Sequence, residues 1–173
     1  MRTQVCIVGG GPSGVLLSQL LHLWGIDTVV LERKSRAYVL SRIRAGVLET
    51  GLCDLLRKAG AGKRMDREGF IHSGTLLAAE GRKFRIDFDG LIGKSVMVYG
   101  QTEVTRDLYD ARDRKDGKII HDVDGTIIHG ADTDAPYVTF VKDGTEQRVD
   151  CEWVAGCDGF HGVSRKTIPD SVL

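Results

Sequence analysis

No apolar run in this sequence reaches the length needed to cross a bilayer, and the apolar N-terminal segment is cut by glycines at positions 9 to 11. Neither a membrane span nor a secretory signal peptide is therefore expected. The four cysteines, Cys6, Cys53, Cys151 and Cys157, have neither C-x-x-C spacing nor the density of a disulfide scaffold. They read as reduced, mostly buried thiols, and the expected compartment is the cytoplasm. The chain has no internal repeat, no low-complexity tract and no shift of composition marking a second domain. It also lacks a Ser-His-Asp or metal-ligand pattern. Formal charge is zero, with 24 Lys and Arg against 24 Asp and Glu.

What the chain does have is an ordinary globular composition, 42% hydrophobic and 28% charged over 173 residues, enough to bury a core. The charge is unevenly placed. Residues 33 to 67 hold ten Lys and Arg against Glu49, Asp54 and Asp66. A solvated basic face and a nucleic-acid surface are both conceivable, but a field that attracts an anionic dinucleotide is the more economical reading, and no nucleic-acid partner is expected.

The strongest local signal lies at the start. Val5 to Val8 reads as a buried parallel strand, broken by Gly9, Gly11 and Gly14 before the apolar-periodic stretch Val15, Leu16, Leu20, Leu21 and Trp24. In such a strand, glycine turn and helix, Gly9 permits the tight turn, Gly11 lets a pyrophosphate approach the backbone, and Gly14 lets the helix pack on the strand. The helix N-terminus then faces the phosphates. A second strand, Thr28 to Leu31, closes on Glu32, 23 positions after Gly9, where a carboxylate can accept from an adenosine ribose.

Further along, Arg33 to Arg44 reads as an exposed basic loop and Val47 to Ala59 as a core-packing helix ended by Gly60. Residues 69 to 88 alternate loosely around a turn at Gly81-Arg82, and Ser95 to Tyr99 forms a short strand. Gln101 to Arg114 reads as a helix. Lys118 to Val154 reads as short strands with a hairpin at Lys142-Asp-Gly-Thr145. The last strand, Trp153 to Ala155, delivers Gly156-Cys-Asp-Gly159 at its carboxyl end, so Asp158 is expected to reach the same crevice as Gly9 to Gly14. Trp24 and Trp153 read as core residues. The chain stops abruptly at Ile168-Pro-Asp-Ser-Val-Leu173, with nothing to cover the preceding loop and helix start.

Four elements stand together: Gly9 to Gly14 with Glu32, Arg42-Ile-Arg-Ala-Gly-Val-Leu-Glu49, Val98-Tyr-Gly-Gln-Thr-Glu-Val-Thr-Arg106, and Cys157-Asp-Gly159. Together they resemble the flavoprotein aromatic hydroxylases, and among them those acting on 4-hydroxybenzoate. The resemblance runs from residue 2 to residue 170 and is weakest over 75–93 and 113–135. It implies an α/β, Rossmann-like FAD-binding fold with a parallel sheet and an antiparallel β meander, a single FAD/NAD(P)-binding domain over 1–173 that is truncated before the substrate domain is complete. It implies that Gly9, Gly11, Ser13 and Gly14 hold the FAD pyrophosphate, Glu32 the adenosine ribose, and Arg44 and Gln101 further polar groups of the cofactor. Ala45, Gly46 and Val47 then lie near the flavin ring.

Asp158 and Gly159 inherit a role toward both FAD and the nicotinamide cofactor. Arg33, Tyr38, Arg42, Arg44 and His161 match positions implicated in NADPH binding, and Lys34 and Arg36 add charge that favours a 2′-phosphate. His72 matches a position linked to a proton path from the substrate phenol to solvent; a histidine in a half-buried strand, satisfied by a backbone carbonyl, is the other reading.

The implied activity of the complete protein is FAD- and NADPH-dependent hydroxylation of 4-hydroxybenzoate to 3,4-dihydroxybenzoate with oxygen, in a family that is homodimeric. Family members are more than twice this length, and the substrate pocket is expected in the part this chain lacks, so these residues alone are expected not to turn over. Two other readings stay open: a module that binds flavin or an adenine nucleotide without catalysis, and a pyridine-nucleotide dehydrogenase, against which Asp158-Gly159 and Arg42 to Gly46 argue.

Overall fold

A computed structural model describes residues 1–169, 171 and 172. Asp170 and Leu173, which fall within the reading of the chain end and of the limit of the resemblance, lie outside the described residues. In chain order the elements are β1 (Val5–Val8), α1 (Pro12–Leu23), β2 (Thr28–Leu31), α2 (Arg36–Ser41), β3 (Val47–Glu49), α3 (Thr50–Lys58), α4 (Lys63–Glu68), β4 (Phe70–His72), β5 (Gly74–Ala79), β6 (Arg82–Asp87), α5 (Phe88–Ile92) and β7 (Val96–Val98). There follow α6 (Gln101–Asp113), β8 (Lys118–Ile120), β9 (Asp124–His129), β10 (Tyr137–Lys142), β11 (Thr145–Asp150), β12 (Trp153–Gly156) and α7 (Val163–Thr167). No helix among the described residues is long and apolar enough to cross a membrane.

The centre is a four-stranded parallel sheet in the order β12-β1-β2-β8. Every residue of β1 and β2 is buried, because both faces of the sheet are covered, and such strands read as continuous apolar runs. Val5, Ile7 and Val30 lie on the face packed by Leu17 and Leu21 of α1. Cys6, Val29 and Leu31 alternate to the other face and meet Val138, Phe140 and Val149 of the antiparallel sheet β11-β10-β9. The layers are thus helices, parallel sheet and antiparallel meander, as the α/β reading expects.

A further apolar cluster joins Val15 to Leu56, Met65, Met97, Leu108 and Tyr109, so that α6 packs on α1 and carries α3, α4 and β7 with it. Among the polar groups caught in these layers, Ser18 Oγ and Thr28 Oγ1 are 2.7 Å apart and Gln19 Nε2 donates to the Ala59 carbonyl at 2.9 Å, while Thr3 Oγ1 and Arg112 Nε are buried without a partner. All four cysteines are free thiols, and Cys6, Cys53 and Cys151 are buried.

Several local expectations are corrected. The basic stretch after Glu32 contains the helix α2, which Ser35 starts by accepting the Tyr38 N–H at 3.1 Å. The helical spacing across residues 47–59 spans two elements: Val47–Glu49 is β3, paired antiparallel with β7, and the helix begins only at Thr50. The hairpin turn of β5 and β6 is Glu80-Gly81, not Gly81-Arg82; both have positive φ, 50° and 75°, the geometry that matches strand twist in a two-residue turn. The other hairpin is found where expected, with Asp143 and Gly144 at the tip.

Trp24 and Trp153 are 76% and 71% exposed and are not core residues. Trp24 stands just past the last turn of α1, and Trp153 opens β12, which among the described residues has a neighbour on one side only.

Leu108 is fully buried between α6 and its neighbours. Leu108→Ala is expected to lower stability in urea unfolding by about 2–5 kcal/mol, the usual cost of a cavity at a well-packed leucine.

Candidate functional site

β1 ends at Val8, and the next residues must turn under the chain leaving β12. Gly9 has φ 109°, and its N–H donates to the Leu31 carbonyl at 2.8 Å. A Cβ on Gly9 would collide with the Cys157 carbonyl and come within 2.7 Å of the Asp158 nitrogen. The crossing is tied by Cys157 N–H donating to the Val8 carbonyl at 2.7 Å. A Cβ on Gly14 would strike the Gly9 carbonyl, so this glycine sets how closely α1 sits on the turn. Gly11 is different, since an added Cβ there meets nothing within 4 Å. Two glycines serve packing and the third faces open space.

Gly11 is also the N-cap of α1, with no capping side chain, a proline at the helix start and no acidic residue in the first turn. The N-terminal N–H groups are free to meet an anion. Beside them stands Glu32, at the carboxyl end of β2. Its Oε2 accepts the Gly10 N–H and its Oε1 the Lys34 N–H, each at 2.7 Å. The carboxylate is held by two backbone donors, each oxygen keeping a lone pair for another partner.

On the far side of the turn, Asp158 Oδ2 accepts the Ser164 N–H at 3.0 Å and so caps α7 from a distance. Gly162 has no room for a Cβ against that carboxylate. Burial, with Asp158 beside it, pushes the Cys157 thiol above its ordinary range.

These pieces enclose a cavity of about 550 Å³. Gly9, Gly11, Glu32, Arg33, Arg44, Asp158, Gly159 and His161 line it, so residues far apart in the sequence meet at one strand-end crevice. Ser13 and Gly14 sit just behind, in the first turn of α1. The wall formed by Val123, Asp124, Gly125 and Thr126, with Gly162 and Val163, was not read from the sequence. Its signal was β8: as a parallel partner of β2 it delivers the following residues to the same sheet edge. There Glu32 N–H donates to the Ile120 carbonyl at 2.8 Å and Val123 N–H to the Glu32 carbonyl at 3.2 Å.

Other expected residues form a second group outside this cavity. The Gly46 carbonyl accepts the Tyr99 N–H at 2.7 Å, and a Cβ on Gly46 would come within 2.6 Å of Gly100 Cα. Ala45, Gly46 and Val47 therefore lie against the start of α6, where Gln101 is the first residue, and Thr102 Oγ1 donates to the Arg42 carbonyl at 3.3 Å. Tyr38 is flanked by Lys34 and Arg42, 5.4 and 5.7 Å from its ring centroid. His72, on the exposed strand β4, is not half-buried and does not line the cavity.

The basic run is also less free than its composition implies. Arg36 pairs with Asp110 and Asp113, Arg57 with Asp54 and Asp66, and Arg64 with Glu103 and Asp107. Arg33 and Arg44 are the members that reach the cavity.

The sequence model of a family described as FAD binding domain matches residues 2–172. A p-hydroxybenzoate hydroxylase of Acinetobacter baylyi is 46% identical over 174 residues, an alignment covering all of this chain and 43% of that protein. The chain thus spans less than half the length of this relative. Among solved structures, the OxyS anhydrotetracycline hydroxylase from Streptomyces rimosus superposes with a TM-score of 0.79 at 25% identity, covering 96% of this chain and 33% of that one. The p-nitrophenol 4-monooxygenase PnpA from Pseudomonas putida shares the fold, with a TM-score of 0.78 at 20% identity, 95% of this chain and 43% of that one.

The contrast between two glycines is open to measurement. Gly14→Ala is expected to cost about 1–3 kcal/mol in urea unfolding, because the helix must move off the turn. Gly11→Ala, at φ −71° with open space around it, is expected to change stability by less than about 1 kcal/mol.

Proposed function

The chain belongs to the FAD binding domain family, and from that premise we propose that it is the FAD- and NADPH-binding domain of an aromatic monooxygenase that converts 4-hydroxybenzoate to 3,4-dihydroxybenzoate. The observation that carries this reading is the cavity in which the open Gly11, the uncapped end of α1, the backbone-held Glu32 carboxylate and the Asp158-Gly159 turn converge. The residues fit the cofactor at that end. Gly11 leaves space where a phosphate would lie, and the donor set of the first turn matches an anion.

In this reading Gly9, Gly11, Ser13 and Gly14 take the pyrophosphate, and Glu32 accepts from the ribose hydroxyls. Arg44 and Gln101 take further polar groups, and Ala45 to Val47 border the flavin ring. FAD, when bound, supplies the redox chemistry linking NADPH to oxygen. The chain's own residues bind and orient it.

NADPH is placed by Arg33, Tyr38, Arg42, Arg44 and His161, with Asp158 and Gly159 serving both cofactors. Two observations support this: Arg33, Arg44 and His161 line the cavity, and Tyr38 carries a cation on either side. With Arg36 held by Asp110 and Asp113, the charge available to a 2′-phosphate comes from Lys34 and Arg42. His72, exposed on β4, is assigned to the proton path between phenol and solvent. The complete protein is proposed to act in the cytoplasm as a homodimer, by its resemblance to the aromatic hydroxylases.

One observation favours a second reading, an adenine-nucleotide-binding module without catalysis: the cavity gathers the proposed ribose and phosphate groups, while Ala45, Gly46, Val47 and Gln101 lie outside it. A visible spectrum separates the two. A yellow protein with a flavin band is expected from the first reading, and affinity for adenine nucleotides without flavin from the second.

Glu32→Ala is expected to weaken FAD binding about 10- to 100-fold in titration, as for a hydrogen bond to a charged group; unchanged affinity overturns the ribose assignment. Arg44→Ala is expected to weaken both FAD and NADPH, and an indifferent protein removes Arg44 from the site. These 173 residues alone are expected to bind cofactor without coupled formation of dihydroxybenzoate, which product analysis after NADPH addition checks.

A further inference from the structure

Tyr109 is a fully buried tyrosine on α6, far in sequence from the glycine turn, yet its hydroxyl donates to the Gly10 carbonyl at 2.7 Å. The ring is held on its own account. His121 stacks on it with centroids 5.5 Å apart and an interplanar angle of 27°, and the Arg36 guanidinium lies 4.8 Å from its centroid. His121 is fixed in turn, its Nδ1 donating to the Lys34 carbonyl at 3.1 Å. Lys34 N–H and Gly10 N–H both donate to Glu32. The contacts close a ring: Tyr109, Gly10, Glu32, Lys34, His121 and back to Tyr109.

The Gly10 carbonyl belongs to the same peptide unit as the Gly11 N–H, and in a trans peptide the two point in opposite directions. We propose that Tyr109 is a positioning residue for phosphate binding: by drawing the Gly10 carbonyl toward α6 it turns the Gly11 N–H outward, into the cavity, as a donor to the pyrophosphate of a bound nucleotide. This rests on the nucleotide-binding reading above. Glu32 fixes the preceding peptide through the Gly10 N–H, so both peptide planes flanking Gly10 are set before a ligand arrives, which spares the cost of ordering them on binding. Burial and the nearby Glu32 push the tyrosine above its ordinary range, which keeps the hydroxyl protonated as the donor this arrangement needs.

The role predicts discrimination between ligands that differ only in phosphate. In calorimetric titration of the 173-residue protein, Tyr109→Phe is expected to weaken ADP about 3- to 10-fold while adenosine changes by less than about twofold, the loss of one neutral hydrogen bond felt only by the phosphates. Unchanged ADP affinity, or an equal fall for both ligands, overturns the proposal, since a purely structural tyrosine affects them alike. Should the variant not fold, the Gly11 amide resonance of the wild-type protein gives the answer: a shift on adding ADP but not adenosine supports the proposal, and no shift with ADP overturns it. A wild-type protein that binds neither ADP nor FAD overturns the nucleotide-binding reading itself, and this one with it.

Discussion

The close passage of the Gly9 turn beneath the Cys157–Asp158 backbone is the constraint on which the site depends. It requires a residue without Cβ at Gly9, because both the φ of 109° and the nearness of another backbone forbid a side chain. Because the two backbone segments touch, the end of β1 and the end of β12 form one rim, and the first turn of α1 and the cap of α7 face the same space. A looser crossing separates Glu32 from Asp158 and leaves the two helix ends without a common cavity.

Electrostatics follow from the same geometry. The carboxylates at the rim are both occupied by backbone donors, Glu32 by Gly10 and Lys34 and Asp158 by Ser164, so they are pinned in direction. Of the ten cations in residues 33–67, Arg36, Arg57, Arg64 and Arg67 pair with acidic partners on α3, α4 and α6. What reaches the cavity is selective, Arg33 and Arg44, in place of a broad basic field. The exposed pairs of Arg36 and Arg57 contribute little to stability, and their clearer effect is to decide which cations remain unpaired.

Much of this was legible in the sequence because its signals are local. The strand, glycine turn and helix over residues 5–23, the Asp143-Gly144 hairpin and α6 each follow from a few adjacent residues. The meeting of Glu32 with Asp158 was legible through the rule that ligands gather at strand carboxyl ends. Less local features were hidden. The helix α2 depends on one serine cap and carries no apolar period, and β3 continues the spacing of the helix after it. Trp153 is apolar yet sits on a strand that, among the described residues, is flanked on one side only, and its own sequence carries no sign of that position. The link from Tyr109 to Gly10 joins residues 99 apart and leaves no trace in either segment.

The strand order β12-β1-β2-β8 has a consequence in time. β1 pairs with β12 through Val5 and Trp153, 148 positions apart, so the strand bearing the glycine turn waits for all the intervening sequence to be made before it is flanked on both sides. Contacts of such sequence separation form late and slow the search for the native state. During synthesis one side of β1 is an open edge, a vulnerable template for mispairing. The glycine turn is complete only once β12 has been made and has docked beside it.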